Sequence, residues 1–302
     1  MRVAVVVLLS LGSPGVAAGL AAQETRVVML GTGTPGADPE RSGPAVAVIA
    51  GGKAYLVDAG PGIVRRAAQA ARDNKIDALL AKRLGIVFIT HLHSDHTVGL
   101  PDLIHTPWVA EREAPLQVYG PPGVKRMTEH LTEAWREDIR IRTKGPQPST
   151  PNGWKVVAHE IKPGIIYRDS NVTVTAIAVS HTNWEYAFAY RFDTKDRRIV
   201  ISGDARPSEA VARACDGCDV LVHEAYSVER LKARTPEWQA YHRGSHTSTT
   251  ELAEIAAKAR PKLLVMYHQM YWGATDDELL SELRAAGYRG PVRSARDLEV
   301  YP

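Results

Sequence analysis

The sequence predicts an α/β fold, and three observations carry that expectation. Short runs rich in Val, Ile and Ala alternate with stretches of helical periodicity. Five of the apolar runs end at a residue with metal or proton chemistry: Asp58, His91, His181, Asp204 and His268. Strand ends gathered along one rim are how α/β folds assemble sites from distant sequence. The third observation is the segment Thr90-His-Leu-His-Ser-Asp-His96, directly after Ile86-Val-Phe-Ile89, whose last six residues carry three imidazoles and a carboxylate.

Taken in order, Arg26 to Leu30 reads as a strand ending in the turn Gly31-Thr-Gly-Thr-Pro-Gly36, and Gly51-Gly52 joins the strands Ala45–Ala50 and Ala54–Val57. Asp58-Ala-Gly-Pro-Gly62 closes a strand end, and Ile63 to Leu84 has the periodicity of a helix. A strand from Ile86 to Thr90 would keep His91 and His93 on one face, because residues two apart point the same way. Residues 116–119 form a short strand before Gly120-Pro-Pro-Gly123, Val124 to Ile139 an amphipathic helix, and Gly145 to Gly153 a surface loop. Val172 to Val179 delivers His181, the hairpin Tyr186–Phe192 and Arg198–Ile201 delivers Asp204, and Val220–Val222 runs into His223-Glu224. Thr247 to Ala259 is a helix, and Leu263 to Tyr267 a strand into His268.

Residues 1 to 22 read as a secretory signal: Arg2, the apolar run Val3–Leu9, the breakers Gly12 to Gly15, then small residues ending Leu20-Ala-Ala22. That run is too short for a permanent bilayer anchor, so no membrane span is expected in the mature chain. Residues 23–302 then form a single domain, exported to a periplasm or secreted. The 302 residues carry a formal charge of only +3, with no Lys/Arg block to track a polynucleotide. The two cysteines, Cys215 and Cys218, are too few for a structural zinc site and suit a small disulfide in an oxidising compartment.

Imidazole and carboxylate donors without thiolate suit two Zn²⁺ ions, with Mn²⁺ or Fe as alternatives. The expected allocation gives His91, His93 and His181 to one ion and Asp95, His96 and His268 to the other, with Asp204 bridging. A hydroxide shared by two such ions is a hydrolytic nucleophile, and Asp95 belongs to the catalytic group beside it. Asp58 is expected to accept a hydrogen bond from a ligand imidazole. His246, on the loop before a helix, is not needed as a ligand and reads as proton donor to the leaving oxygen, with Glu224 orienting it. His105, His130, His159 and His242 read as ordinary surface or core residues. Trp184, Tyr226, Tyr271 and Trp272 follow the ligands closely and either line an aryl pocket or pack beneath the loops.

At these residues the chain resembles the metallo-β-lactamase fold superfamily, whose signature is His-x-His-x-Asp-His with a later His, Asp and His. Gly31-Thr-Gly-Thr-Pro, Asp58-Ala-Gly-Pro-Gly, Gly203-Asp-Ala-Arg-Pro207, Leu221-Val-His-Glu-Ala225 and His246-Thr-Ser-Thr are similar to its ribonuclease Z and arylsulfatase-like branch. The resemblance implies a four-layer αββα sandwich with a dinuclear zinc site at one edge, in a branch where dimers are common. The tRNA-processing members carry a long arm between the third ligand His and the bridging Asp. Here only a tight strand pair separates His181 from Asp204, and with the signal segment this argues against tRNA.

The leading expectation is therefore an exported hydrolase of small anionic esters, sulfate or phosphodiester. A β-lactam or lactone hydrolase with the same site is the second reading, and an armless ribonuclease Z-like phosphodiesterase or nuclease stands beside it. A metal-sequestering protein is the reading from another class; an extra proton-donating histidine argues against it.

Overall fold

The computed structural model describes residues 24–302; the expected signal segment lies outside them. The first half of the chain runs β1 (Arg26–Gly31), β2 (Ala45–Ala50), β3 (Lys53–Val57), α1 (Ile63–Asp73), β4 (Ile86–Phe88), the single turn α2 (Ser94–Thr97), α3 (Leu100–Val109), β5 (Leu116–Gly120), α4 (Val124–Ala134), α5 (Arg136–Lys144) and β6 (Val156–Glu160). The second runs β7 (Gly164–Arg168), β8 (Val172–Val179), β9 (Ala187–Thr194), β10 (Arg198–Ile201), α6 (Glu209–Cys215), β11 (Val220–Tyr226), α7 (Val228–Leu231), α8 (Pro236–Ser245), α9 (Thr249–Ala259), β12 (Leu263–Met270), α10 (Asp276–Ala285), β13 (Val292–Ser294) and β14 (Val300–Tyr301).

These strands make two seven-stranded mixed sheets, in the orders β14-β1-β2-β3-β4-β5-β6 and β13-β12-β11-β10-β9-β8-β7. Strand β2 shows why its sequence is apolar throughout. Ala45, Ala47 and Ile49 pack with Val64 and Ala67 of α1, whereas Val46, Val48 and Ala50 pack with Val222 and Val265 of the other sheet. On the far side, Leu221, Leu264 and Met266 meet Val211, Leu252 and Leu279 of α6, α9 and α10. Strands covered on both faces read as continuous hydrophobic runs rather than alternating ones. The four αββα layers expected from the sequence are therefore present. No helix among the described residues is long and apolar enough to cross a membrane.

The structure corrects several local expectations. The Ile63–Leu84 helix ends at Asp73, because Lys75 takes a left-handed φ of 53° and two short 3₁₀ turns follow. The Val124–Ile139 helix breaks at Trp135 (φ −99°, ψ 14°), after which α5 buries Ile139. His91 and His93 do not share a strand face: β4 stops at Phe88, and the Thr90 amide donates to Asp58 Oδ1 at 2.8 Å instead of joining a ladder. Helix α3, absent from the sequence reading, starts with Pro101 in its first turn, where no amide partner is lost.

Two contacts fix the loops around this frame. Asp297, just ahead of β14, accepts from the Thr32 amide at 2.9 Å, the Ser42 amide at 2.7 Å and Arg66 Nε at 3.2 Å, tying the turn after β1 to the far end of the chain. Arg112 is buried, and its guanidinium donates to the carbonyls of Leu84, Leu103, Ile104 and Gly153 at 2.7–3.0 Å. Burial lowers its pKa to about 10. Arg112→Leu removes a donor from four carbonyls at once and is expected to lower the unfolding free energy by about 3 kcal/mol or more, read by urea denaturation.

Candidate metal centre

The seven expected donors converge at one edge of the sandwich. Each arrives from a different constraint on the backbone. His91 and His93 sit on the extended segment after β4, Asp95 and His96 on α2, His181 just after β8, Asp204 after β10, and His268 within β12. Asp58 (φ 60°) and His268 (φ 46°) hold left-handed backbone that side-chain-bearing residues rarely adopt. Gly203, immediately before Asp204, has φ 61°, and a Cβ there would lie 2.8 Å from Thr90 Cβ. Such strain persists only where the surroundings over-determine it, and it clusters at functional sites.

Donor atoms of His91, His93, His181 and Asp204 lie within 4.8 Å of one another, and those of Asp95, His96 and His268 do the same. His93 Nδ1 is 2.9 Å from His91 Nε2 and 3.1 Å from His181 Nε2. In the second group Asp95 Oδ2 is 3.3 Å from His268 Nε2 and 3.4 Å from His96 Nε2. Asp204 stands between the groups, with Oδ2 3.9 Å from His91 Nε2 and 3.8 Å from His181 Nε2, and Oδ1 3.3 Å from His96 Nε2.

Tautomers follow from the outer bonds. A carbonyl only accepts, so His181 Nδ1 carries the proton it gives to Ser245 O at 2.8 Å, and its Nε2 lone pair faces the cluster. His96 Nδ1 donates to Asp58 Oδ2 at 2.7 Å with the same result. Burial keeps His91 neutral, and burial first pulls His93 and His181 down to about 4, leaving all three in the form that ligates. For His96 and His268 burial pulls the same way, but it is outweighed by Asp204 together with Asp58 at His96 and with Asp95 at His268, and both are held up.

The residues present fit a divalent cation. His96 Nε2 and Asp204 Oδ1 are buried without any hydrogen-bond partner, which in a protein interior costs roughly 1–3 kcal/mol per group. A cation placed among these atoms removes that cost, and the all-N/O donor set suits zinc, with manganese or iron as harder alternatives.

A second pair adjoins the cluster. His246 Nδ1 lies 2.9 Å from Glu224 Oε2 and 3.9 Å from Asp204 Oδ2, and Glu224 Oε1 also accepts from the Ala205 amide at 2.8 Å. Burial pushes Glu224 well above the carboxylate range, helped by Asp204, and lowers His246 to about 4, so each moves toward its neutral form. Of the histidines read as ordinary, His242 packs 5.5 Å from the His246 ring and supports it. Sequence reasoning missed Tyr241, whose ring lies 6.1 Å from His246; a helix (α8) with no recognisable apolar stripe carries it. Beside Asp95 opens a cavity of about 520 Å³, lined by Thr34, Arg41, Ser42, Ser94 and Val98.

The family model of the beta-lactamase superfamily domain matches residues 53–269, which span the whole cluster. The chain belongs to the beta-lactamase superfamily. Its relatives include the ribonuclease Z of Mycobacterium bovis (strain BCG / Pasteur 1173P2), 32% identical over 285 residues covering 91% of this chain and 98% of that protein. The ribonuclease Z of Mycobacterium sp. (strain KMS) is 32% identical over 283 residues, covering 91% and 96%. Among solved structures, the short form of human tRNase Z superposes with a TM-score of 0.66 at 24% identity, covering 92% of this chain and 98% of that one. A metallo-beta-lactamase fold protein from Bacillus subtilis gives 0.68 at 17% identity over the same shares. The superfamily chain described here is thus a metal-dependent hydrolase by family and a homologue of ribonuclease Z.

Asp58 bonds His96 directly and reaches His91 through the Thr90 hydroxyl, so its replacement tests the support of two donors without removing either. Asp58→Asn is expected to weaken metal retention by about 10–100-fold with the fold intact, read by zinc competition with a chelating dye and by circular dichroism.

Proposed function

We propose that the protein is an exported, metal-dependent phosphodiesterase of the ribonuclease Z type. The observation that carries this reading is the adjacency of seven convergent donors and the Glu224–His246 pair, in a chain whose curated relatives are named ribonuclease Z. Those names favour a phosphodiester over the sulfate ester that headed the sequence expectations, and the sulfatase reading is set aside. The expectation against tRNA also loses its ground. The mycobacterial relative aligns with this chain over 98% of its own length, so a protein bearing that name matches it from end to end.

In this reading His91, His93 and His181 would hold one ion and Asp95, His96 and His268 a second, with the Asp204 carboxylate standing between the two groups. Two divalent ions so held supply positive charge that polarises a phosphoryl oxygen and acidifies a water. Asp58 and Ser245 O orient His96 and His181 so that their lone pairs face inward. Glu224, pushed toward its protonated form, faces Nδ1 of His246 and fixes the ring with its proton on Nε2; the leaving oxygen takes that proton as Nδ1 receives the one from Glu224. Export rests on the N-terminal residues 1–22, and the Cys215–Cys218 disulfide supports an oxidising compartment.

Zinc-loaded protein is expected to turn over bis(p-nitrophenyl) phosphate, to act on an RNA carrying a 3′ trailer, and to leave p-nitrophenyl sulfate and a cephalosporin intact. Turnover of the sulfate or cephalosporin with none of the phosphodiesters would refute the reading. His246→Ala is expected to lower kcat by roughly 10²–10⁴-fold on alkoxide leaving groups and far less on p-nitrophenoxide, which departs unprotonated.

A further inference from the structure

Among the described residues five aromatic side chains are more than a third exposed: Trp135, Trp184, Tyr186, Trp238 and Tyr241. Four of them stand on two segments that flank the metal centre, the turn after His181 and helix α8 leading to His246. Trp184, 37% exposed, holds its ring 5.2 Å from His93 and 6.3 Å from His91. The chain reaches that position through Thr182, whose φ of 43° turns it sharply after the ligand-type His181. The ring of His246, the proton-donor candidate, lies 4.8 Å from that of His181, and beside it stands Tyr241, 38% exposed and 6.1 Å away. Trp238 braces it edge-on at 5.7 Å and itself stacks on His242 at 5.6 Å.

Packing accounts for the other aromatics near the site. Tyr226 is buried in a small core with Leu231 and Met270, Trp272 packs against it, and the Tyr271 hydroxyl accepts from Arg41 at 2.9 Å. Of the aromatics singled out in the sequence, Trp184 alone remains half-open beside the donors. The uncovered part of such a ring gains nothing from folding, whereas a base or aryl group stacked on it gains about 1–3 kcal/mol. The Tyr241 phenol is pushed above its usual range by burial and then by Asp204, Asp95 and Glu224, which places it within the field of the cluster.

We infer that Trp184 and Tyr241 are the two walls of the substrate mouth and that they take a planar aromatic group carried next to the scissile phosphate. Such a group is either a nucleobase or an aryl alcohol. The inference rests on the phosphodiesterase reading and adds the two residues that select a diester flanked by aromatic rings over a dialkyl diester.

The test compares uridylyl-(3′–5′)-uridine, bis(p-nitrophenyl) phosphate and glycerophosphoethanolamine as substrates for wild type, Trp184→Ala, Trp184→Phe, Tyr241→Ala and Tyr241→Phe. Either alanine variant is expected to lower the ratio of kcat/KM on an aromatic diester to that on the dialkyl diester by roughly tenfold, mostly through KM, with the phenylalanine variants restoring most of it. A loss confined to the dinucleotide assigns the mouth to a nucleobase, and a loss confined to the bis-aryl ester to an aryl alcohol. A uniform fall across all three substrates would overturn the inference. Calorimetric binding of uridine 5′-monophosphate against inorganic phosphate gives a readout free of turnover: wild type prefers the nucleotide and Trp184→Ala does not. Nucleotide binding through Trp184 with no diester cleaved would sink the phosphodiesterase reading and keep the aromatic mouth. Diester cleavage by wild type without aromatic preference would do the reverse.

Discussion

The buried carboxylate of Asp204 is the constraint around which this molecule is arranged. It is nearly inaccessible to solvent, and nitrogens from His91, His96, His181, His246 and His268 stand 3.3–3.9 Å from its oxygens. A lone buried anion is costly unless positive charge meets it, and lone pairs aimed at one another are no better. A fold gains from such a convergence only when a cation completes it. The strained residues then make sense together. Asp58 and His268 each hold costly left-handed backbone that aims a side chain at the same point, and the glycine at 203 takes the same conformation freely where a Cβ would strike Thr90.

Much of this was legible in the sequence because it depends on short-range rules. The spacing of His91 to His96 brings four donors together whatever else the chain does, and the apolar runs ending at His181 and Asp204 place those two along the same rim. Buried-on-both-faces strands such as β2 announce themselves as unbroken apolar runs. What escaped depends on tertiary context. Strands β6 and β7 are half-exposed edges without clear alternation, and α3 carries two prolines that argue locally against a helix. The break at Trp135 follows from what α5 must bury, and the position of Tyr241 on α8 gives no local sign that it faces a site.

The donor set alone does not separate sulfate from phosphate, since both are tetrahedral oxyanions with similar bond geometry and similar needs for positive charge. The ligand-rich segments are therefore a poor place to look for substrate identity. The discriminating chemistry lies in groups that meet the rest of the ester. On this chain those are the proton-bearing Glu224–His246 pair and the half-exposed rings on either side of it.

The pairing of Val27 with Tyr301 and the grip of Asp297 on the turn after β1 carry a further consequence. The outer edge of β1 is covered by residues near 300, so that layer is completed by contacts spanning nearly all of the described residues. The loop beside Asp95 is therefore held from the opposite end of the chain, and a change near Asp297 reaches the donors through Thr32 and Ser42 rather than through the sheet.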